Sequence, residues 1–133
     1  MTVLERTLAA SVRDAARSFS VVVLTGPRRA GKTTLLRTVV GGRGEYATID
    51  AADTRAEATR DPRGFLSSRR RPLIIDEVQN APEILSYIKE EVDARPGKGR
   101  FFLSGSQNLL LNARIAESLS GRAAILRLLP FSR

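Results

Sequence analysis

The chain has 133 residues, of which 42% are hydrophobic and 27% are charged, and this length and composition fit one compact domain with a buried core. It contains no cysteine and no histidine, which excludes a disulfide scaffold, cysteine-ligated zinc and the serine-histidine, cysteine-histidine and zinc-hydrolase chemistries. Its apolar runs are much shorter than the roughly 20 residues of a membrane span and no leader-like segment precedes them, so we expect a cytoplasmic protein without a membrane partner.

Basic residues outnumber acidic ones by 22 to 14, which gives a net charge of +8 and favours polyanionic partners such as nucleic acid, nucleotides or acidic lipid. The charge balance alone does not choose among these partners. Only Lys32, Lys89 and Lys98 are lysines, so a lysine within a motif is more informative here than an arginine.

The first half of the chain predicts helices and strands in alternation. Apolar residues three and four positions apart predict an amphipathic helix over residues 3–18, and a β-branched apolar run predicts a buried strand over residues 20–24. A helix is expected from Lys32 to about Val40, where a cluster of glycines stops it. Residues 46–50 alternate as a strand does, and residues 51–60 form either a loop or a short helix.

The second half repeats the alternation. Asp61 as N-cap with Pro62 at the first helical position predicts a short helix, and Asn80 with Glu83 fits a capping box for a later one. Strands are predicted at residues 73–75, 101–103 and 123–129, with a helix through about Leu119 before the last of them. Because helices separate the strands throughout, the sequence predicts βαβ units and a mainly parallel sheet with helices on both faces.

A phosphate-binding loop is predicted where the first strand gives way to the second helix. Residues 26–33 match the P-loop pattern of glycine, four residues, glycine, lysine and serine or threonine. The glycines let successive backbone N–H groups turn toward a phosphate, and the following helix adds its positive N-terminal end. Lys32 is expected to reach the β- and γ-phosphates, and Thr33 to place its hydroxyl on Mg²⁺. The predicted nucleotide-binding residues are Gly26, Pro27, Arg28, Arg29, Ala30, Gly31, Lys32, Thr33 and Thr34.

Two carboxylates follow the third predicted strand. Asp76 and Glu77 come directly after the apolar residues 73–75, at the carboxyl end of a strand, where α/β sheets bind ligands. This arrangement is typical of a Walker B motif. We expect Asp76 to hold Mg²⁺ and Glu77 to orient and polarise the water that attacks the γ-phosphate.

Polar residues after the fourth predicted strand are candidates to position that water. If one strand lies between the P-loop strand and the acidic strand, it is the strand at residues 101–103, and its end faces the γ-phosphate. Ser104, Ser106, Gln107 and Asn108 follow it, and we favour Ser104 or Gln107. Capping of the next helix is an equal alternative for either serine.

Arg122 follows Ser120 and Gly121 just before the fifth predicted strand, beside the P-loop strand. It is a candidate to contact a phosphate in the same chain, or to act as an arginine finger across a subunit boundary in a homo-oligomer. An ordinary surface arginine is the alternative. The predicted catalytic residues are therefore Glu77, Lys32, Arg122, Ser104 and Gln107.

Together these segments resemble the prokaryotic AAA-type predicted ATPases. The residues that carry the resemblance are 26–34, 73–79, 104–106 and 119–130, and it extends from about residue 20 to the end. It implies a P-loop NTPase three-layer sandwich, a parallel five-stranded sheet of order 5-1-4-3-2, and ATP and Mg²⁺ as cofactors. It also implies a second domain in the whole protein, so we expect a fragment with one core domain over residues 1–133, consisting of a helix at 1–19 and a nucleotide-binding core at 20–133.

The expected function is hydrolysis of ATP to ADP and phosphate, coupled to a partner or a second domain. A GTPase is rejected because the chain has no Asn-Lys-x-Asp segment to read guanine. A small-molecule kinase remains an alternative, although such kinases usually lack a glutamate directly after the Walker B aspartate. A nucleotide-regulated DNA-binding module is another, with Arg28, Arg29 and Arg69 to Arg71 as its basic footprint. The scarcity of aromatic residues for base stacking counts against it.

Overall fold

The computed structural model describes residues 2–27, 31–106 and 108–128. In chain order the elements are α1 (Val3–Ser18), β1 (Val21–Thr25), α2 (Lys32–Val40), β2 (Glu45–Thr48), α3 (Ala52–Arg60), α4 (Pro62–Ser67), β3 (Leu73–Asp76), a 3-10 helix (Val78–Asn80), α5 (Ile84–Ala94), β4 (Phe101–Gly105), α6 (Leu109–Leu119) and β5 (Ala123–Arg127). All strand pairs are parallel, and the sheet order is β2-β3-β4-β1-β5. The α/β fold and the strand order predicted from the sequence are confirmed.

The three central strands end at a common edge of the sheet. β4 lies between β1 and β3, and its register places Gly105 opposite Thr25. Because all strands run in the same direction, Thr25, Asp76 and Gly105 mark one carboxyl edge, where α/β proteins bind ligands. β1, β3 and β4 are buried along their whole length, as expected for strands covered on both faces.

Helices on both faces complete three layers. α1 and α2 pack on one face, where Val12 and Leu36 belong to the same apolar cluster as Val22 of β1. α4, α5 and α6 contribute to the cluster on the other face, which contains Val21 and Val23 of the same strand. Successive residues of β1 thus point to opposite layers, as the two-residue period of a strand requires.

Helix α1 has the bounds that its apolar spacing predicts. Thr2 caps it by accepting a hydrogen bond from Glu5 N, while the Glu5 carboxylate accepts one from Thr2 N. Its buried residues Ala9 and Val12 join the core on the α2 side. Over the three ranges that the structure describes, no helix combines the length and apolarity needed to cross a membrane.

Three local expectations are resolved or corrected. The stretch over residues 51–60 contains a helix, α3, and β4 continues past residue 103 to Gly105, so that Ser104 lies inside the strand. The predicted capping box of Asn80 and Glu83 is wrong. Asn80 ends the 3-10 helix, and Glu83 precedes α5 without a side-chain cap bond. The chain after β3 turns tightly, and Ala81 N donates to Val78 O at 3.1 Å, so α5 begins later than the spacing suggests.

Candidate nucleotide-binding site

The predicted phosphate loop joins β1 to α2 at the carboxyl edge of the sheet. Gly26 is tightly enclosed, because a Cβ atom there would lie 2.5 Å from the carbonyl oxygen of Leu128. Gly31 has φ +86°, a left-handed conformation that favours glycine, and it precedes α2 without a side-chain cap bond. The N-terminal amides of α2 therefore border the loop as an anion site requires. Of the predicted nucleotide-binding residues, Arg28, Arg29 and Ala30 lie outside the described residues.

Lys32 is only 4% exposed and its side chain turns back over the loop. Its Nζ donates to the carbonyl oxygens of Gly26 at 2.9 Å and of Pro27 at 2.8 Å. A buried ammonium group needs such oxygen partners, and phosphate oxygens are stronger acceptors for it than carbonyls. The lysine is thus held at the mouth of the loop.

Asp76 and Thr33 meet across the edge of the sheet. Thr33 Oγ1 donates to Asp76 Oδ1 at 2.7 Å. Ser104 Oγ also donates to Oδ1, and the Tyr46 hydroxyl donates to Oδ2 at 3.1 Å. Asp76 as a whole is 8% exposed, and its carboxylate accepts from hydroxyl groups of α2, β2 and β4. This network fixes the orientation of Asp76.

These oxygen atoms suit a magnesium ion. Mg²⁺ prefers hard oxygen ligands and is commonly held in proteins by one or two carboxylates together with substrate phosphates and waters. Thr33 and Asp76 supply a hydroxyl and a carboxylate oxygen in direct contact. A cavity of about 210 Å³ beside them is lined by Gly31, Lys32, Thr33, Thr34 and Glu77. The donor set and its neighbouring cavity therefore fit the predicted metal and phosphate group.

Glu77 borders this cavity on a strained turn. Its backbone has φ 57° and ψ 50°, and it is the only non-glycine residue with positive φ among those the structure describes. Its N–H donates to Ser104 Oγ at 3.3 Å, and its Oε1 accepts from Gln79 Nε2 at 2.7 Å. Glu77 thus leaves the extended conformation of the strand and borders the same cavity as Lys32 and Thr33.

The polar residues at the end of β4, predicted to position the attacking water, differ in their surroundings. Ser104 is fully buried between Asp76 and the backbone of Glu77. Asn108 is the N-cap of α6, accepting from Leu111 N at 2.6 Å, so neither serine has the alternative capping role. Gln107 lies outside the described residues, and its predicted role stays a prediction.

Arg122 is not brought to this site. It precedes β5 at the amino edge of the sheet, where its carbonyl oxygen accepts from Val21 N at 3.1 Å. Its Nε and Nη2 donate to Asp93 of α5 at 2.7 and 3.0 Å. This ion pair lowers the pKa of Asp93, chiefly through the hydrogen bond from Arg122. The expected contact of Arg122 with a phosphate in the same chain is therefore corrected, because the phosphate loop lies at the opposite edge.

Two residues of the site, Tyr46 and Gln79, have contact partners that the sequence pattern does not identify. Tyr46 has the alternation of a strand residue, yet its ring lies under the Arg37 guanidinium at 3.8 Å and its hydroxyl reaches Asp76. Burial of the phenol, together with the negative charge of Asp76, raises the pKa of Tyr46 above its ordinary value, so the hydroxyl stays a donor. The position of Gln79 shortly after the acidic pair is enough to expect it in the same cleft, but its contacts with Glu77 and with the backbone of Ser106 depend on the fold.

Sequence comparisons relate the chain to a family and to curated proteins. Residues 18–133 match the model of a protein family described as an AAA domain. Two curated relatives, uncharacterised proteins of Mycobacterium bovis and Mycobacterium tuberculosis, are each 38% identical to the chain over 130 residues. Each alignment covers 96% of this chain and 29% of the relative, so the chain spans less than a third of their length.

Proposed function

The chain belongs to the AAA domain family, and on this premise we propose that it binds ATP with Mg²⁺ and hydrolyses it to ADP and phosphate. The observation that carries the proposal is the hydrogen bond of 2.7 Å from Thr33 Oγ1 to Asp76 Oδ1. It joins the hydroxyl after the loop lysine to the carboxylate at the end of β3, although the two residues are 43 positions apart. A hydroxyl and a carboxylate in contact beside an anion-binding helix end support a metal–triphosphate site.

The proposed reaction assigns a task to each side chain. Lys32 redirects its ammonium group from the loop carbonyls to phosphate oxygens, and Thr33 and Asp76 hold Mg²⁺. When bound, the metal supplies positive charge that offsets the charge of the phosphates. Glu77 orients a water molecule toward the γ-phosphorus and accepts its proton as the bond to ADP breaks. Ser104 keeps Asp76 and the turn of Glu77 in place.

Titration calorimetry with ATP, ADP and GTP, with and without Mg²⁺, tests binding. Lys32→Ala is expected to abolish ATP binding, because it removes the cation that faces the phosphates. Lys89→Ala on α5 is the matched control and is expected to bind as the parent does, since α5 packs on the face of the sheet opposite to α2. Parent affinity in Lys32→Ala would contradict the proposed phosphate site.

Phosphate release assays test hydrolysis separately. Glu77→Gln is expected to keep ATP binding and to turn over about 100-fold more slowly, because glutamine cannot accept the proton of the attacking water. Hydrolysis at the parent rate in this variant would show that another group activates the water.

A second candidate function, binding of nucleic acid, is favoured by one surface feature. A cleft of about 390 Å³ is lined by the cations Arg13, Arg17, Arg43 and Lys98, which come from α1 and from the segments after α2 and α5, with Phe102 in its wall. We call it the basic cleft. Arg13 and Lys98 form no ion pair with any residue in the described ranges, whereas Arg17 pairs with Asp14 and Arg43 bonds to backbone carbonyls of α2. Arginine-rich clefts of this kind suit phosphodiester groups.

The basic run at residues 69–71, which the sequence predicted as part of a DNA-binding surface, is less suitable for binding phosphates than the basic cleft. Arg69 donates to both oxygens of Glu57, Arg70 lies 3.9 Å from Glu45, and Arg71 pairs with Glu91 at 3.3 Å. These charges are compensated within the chain. The nucleic-acid candidate is therefore assigned to the basic cleft, at the other end of α2 from the phosphate loop.

A further inference from the structure

Gln79 links two parts of the site that directly follow different strands, Glu77 after β3 and Ser106 after β4. Its Nε2 donates to Glu77 Oε1 at 2.7 Å, and its Oε1 accepts from the backbone N–H of Ser106 at 3.1 Å. A backbone N–H can only donate, so it orients the carboxamide oxygen toward Ser106 and the NH₂ group toward Glu77. The amide therefore has one defined orientation between the carboxylate and the end of β4.

The end of β4 is also tied to the phosphate loop. Gly105 accepts a hydrogen bond from Gly26 N, the first residue of that loop, at 3.2 Å. A Cβ atom on Gly105 would lie 3.0 Å from Gln79 Oε1, so the amide packs directly against the strand backbone. A continuous series of contacts leads from Gly26 through residues 105 and 106 to Gln79 and then to Glu77.

Glu77 depends on such contacts because its backbone conformation is unfavourable for an L-amino acid. The left-handed conformation of Glu77 is held by the hydrogen bond from its N–H to Ser104 Oγ. Its carboxylate is held by Gln79. The backbone of Glu77 is therefore positioned from Ser104 of β4, and its side chain is positioned through Gln79 from Ser106, the residue after β4.

We propose that Gln79 is a positioning residue whose carboxamide sets the Glu77 carboxylate relative to the end of β4, and so transmits nucleotide binding at the loop to the group that activates water. The proposal rests on the proposed function. Gln79 acts through Glu77 and does not itself exchange a proton with the substrate, since a carboxamide is not a base at neutral pH.

Two substitutions of Gln79 test whether its contacts position Glu77. Gln79→Glu keeps an oxygen acceptor for Ser106 but places a carboxylate against Glu77, whereas Gln79→Ala removes both contacts. We expect kcat to fall about 10-fold or more in each variant, with KM for ATP within about twofold, because a misplaced base slows chemistry more than binding. Asn80→Asp makes the same amide-to-acid change at the exposed neighbouring residue and is expected to keep the parent kcat.

A double-variant cycle distinguishes positioning from a general structural defect. Gln79→Ala combined with Glu77→Gln is expected to be no slower than Glu77→Gln alone, because Gln79 acts through the carboxylate that is already lost. Parent kcat in both single variants, or losses that add in the double variant, would overturn the proposal. Different results would contradict the proposed function itself: no binding of ATP by the parent protein, or turnover at the parent rate in the Glu77→Gln variant.

A spectroscopic readout tests transmission without turnover. A non-hydrolysable ATP analogue with Mg²⁺ is expected to shift the NMR signals of the Gln79 side-chain amide and the Ser106 backbone amide together in the ¹⁵N-labelled parent. Lys32→Ala is expected to remove both shifts. If the analogue binds the parent and leaves both signals unmoved, transmission from the loop to Gln79 is ruled out.

Discussion

Asp76 is held by side chains from three elements that are distant in sequence. Thr33, Tyr46 and Ser104 each direct a hydroxyl group at its carboxylate. A buried carboxylate needs such donors because its apolar surroundings do not solvate it. Ser104 has a second task, since its oxygen also accepts from the N–H of Glu77. One hydroxyl group therefore supports both acids of the predicted Walker B motif.

Ser104→Ala is expected to lower both stability and ATP turnover. The side chain is fully buried, so its loss leaves the Glu77 N–H without its acceptor and removes a donor from Asp76. Because the Glu77 N–H is part-buried and Asp76 is buried, the loss of these two bonds is expected to lower the free energy of unfolding, measured by urea denaturation, by about 1–3 kcal/mol. We expect turnover to fall about 10-fold because the turn of Glu77 loosens.

Ser86→Ala, at an exposed serine of α5, is the control for that substitution and is expected to change unfolding free energy by less than about 0.5 kcal/mol. If Ser104→Ala has the stability and turnover of the parent, the conformation of Glu77 does not depend on this hydroxyl.

Where a motif fixes both residue type and spacing, sequence reasoning named residues that the fold brings into contact. The predictions that Thr33 and Asp76 share one metal site agree with their direct contact. Tyr46 could not be found in this way, because an aromatic residue in a strand usually signals packing, and its contact with Asp76 depends on the pairing of β2 with β3. The partner that orients Gln79 lies 27 residues further along the chain, beyond the reach of any local pattern.

At the scale of elements, strand direction decides which edge of the sheet a connecting segment joins. The phosphate loop follows β1 and the acidic pair lies at the end of β3, so both are at the carboxyl edge. Arg122 precedes β5 and therefore lies at the amino edge. Because β5 is the neighbour of β1, the strand order alone suggested that Arg122 lies near the phosphate loop. Since β5 runs parallel to β1, the start of β5 is instead one strand length away from the loop at the end of β1. Element boundaries were less predictable, because they depend on turns such as the 3-10 helix after β3.

Arg122→Ala is expected to weaken the connection of α5 to the start of β5 and to leave ATP turnover within about twofold, because the residue lies far from the predicted phosphate site. The pair with Arg122 lowers the pKa of Asp93 from its ordinary value of 3.8. A carboxyl group with a lowered folded-state pKa adds stability above its unfolded pKa, and loses it as the pH falls through the folded pKa. Parent stability should therefore fall more steeply below about pH 4 than that of the variant, as thermal unfolding at several pH values will measure.

Arg63→Ala serves as the comparison, because Arg63 forms a similar exposed two-point contact with Glu90 and lowers its pKa. Both variants should show the same turnover as the parent. A large loss of turnover confined to Arg122→Ala and dependent on protein concentration would instead support the arginine finger acting across a subunit boundary.

At the scale of the whole molecule, the net charge of +8 is unevenly compensated. Several arginines pair with acids around α3, α4 and α5, including Arg63 with Glu90 and Arg69 with Glu57. The basic cleft brings together four cations with Asp14 as the acid paired to one of them. These cations come from three separate segments of the chain, so no single basic run predicts the cleft. The conspicuous basic run at residues 69–71 is instead largely neutralised by ion pairs within the fold.

If the basic cleft binds nucleic acid, affinity must depend on the cleft and not only on total charge. The double variant Arg13→Glu with Lys98→Glu is expected to weaken binding of a labelled DNA duplex about 10-fold or more, measured by fluorescence anisotropy. The slope of the logarithm of the binding constant against the logarithm of the salt concentration should fall in magnitude by about two, because two phosphate contacts are lost. Arg63→Glu with Lys89→Glu makes the same change in net charge, from +8 to +4 by two changes of two units each, on α4 and α5. Equal weakening by both double variants would mean that the duplex responds to net charge alone.

Lys32→Ala tests whether the basic cleft works independently of the phosphate loop. Because the cleft lies at the other end of α2 from the loop, this variant is expected to bind the duplex as the parent does.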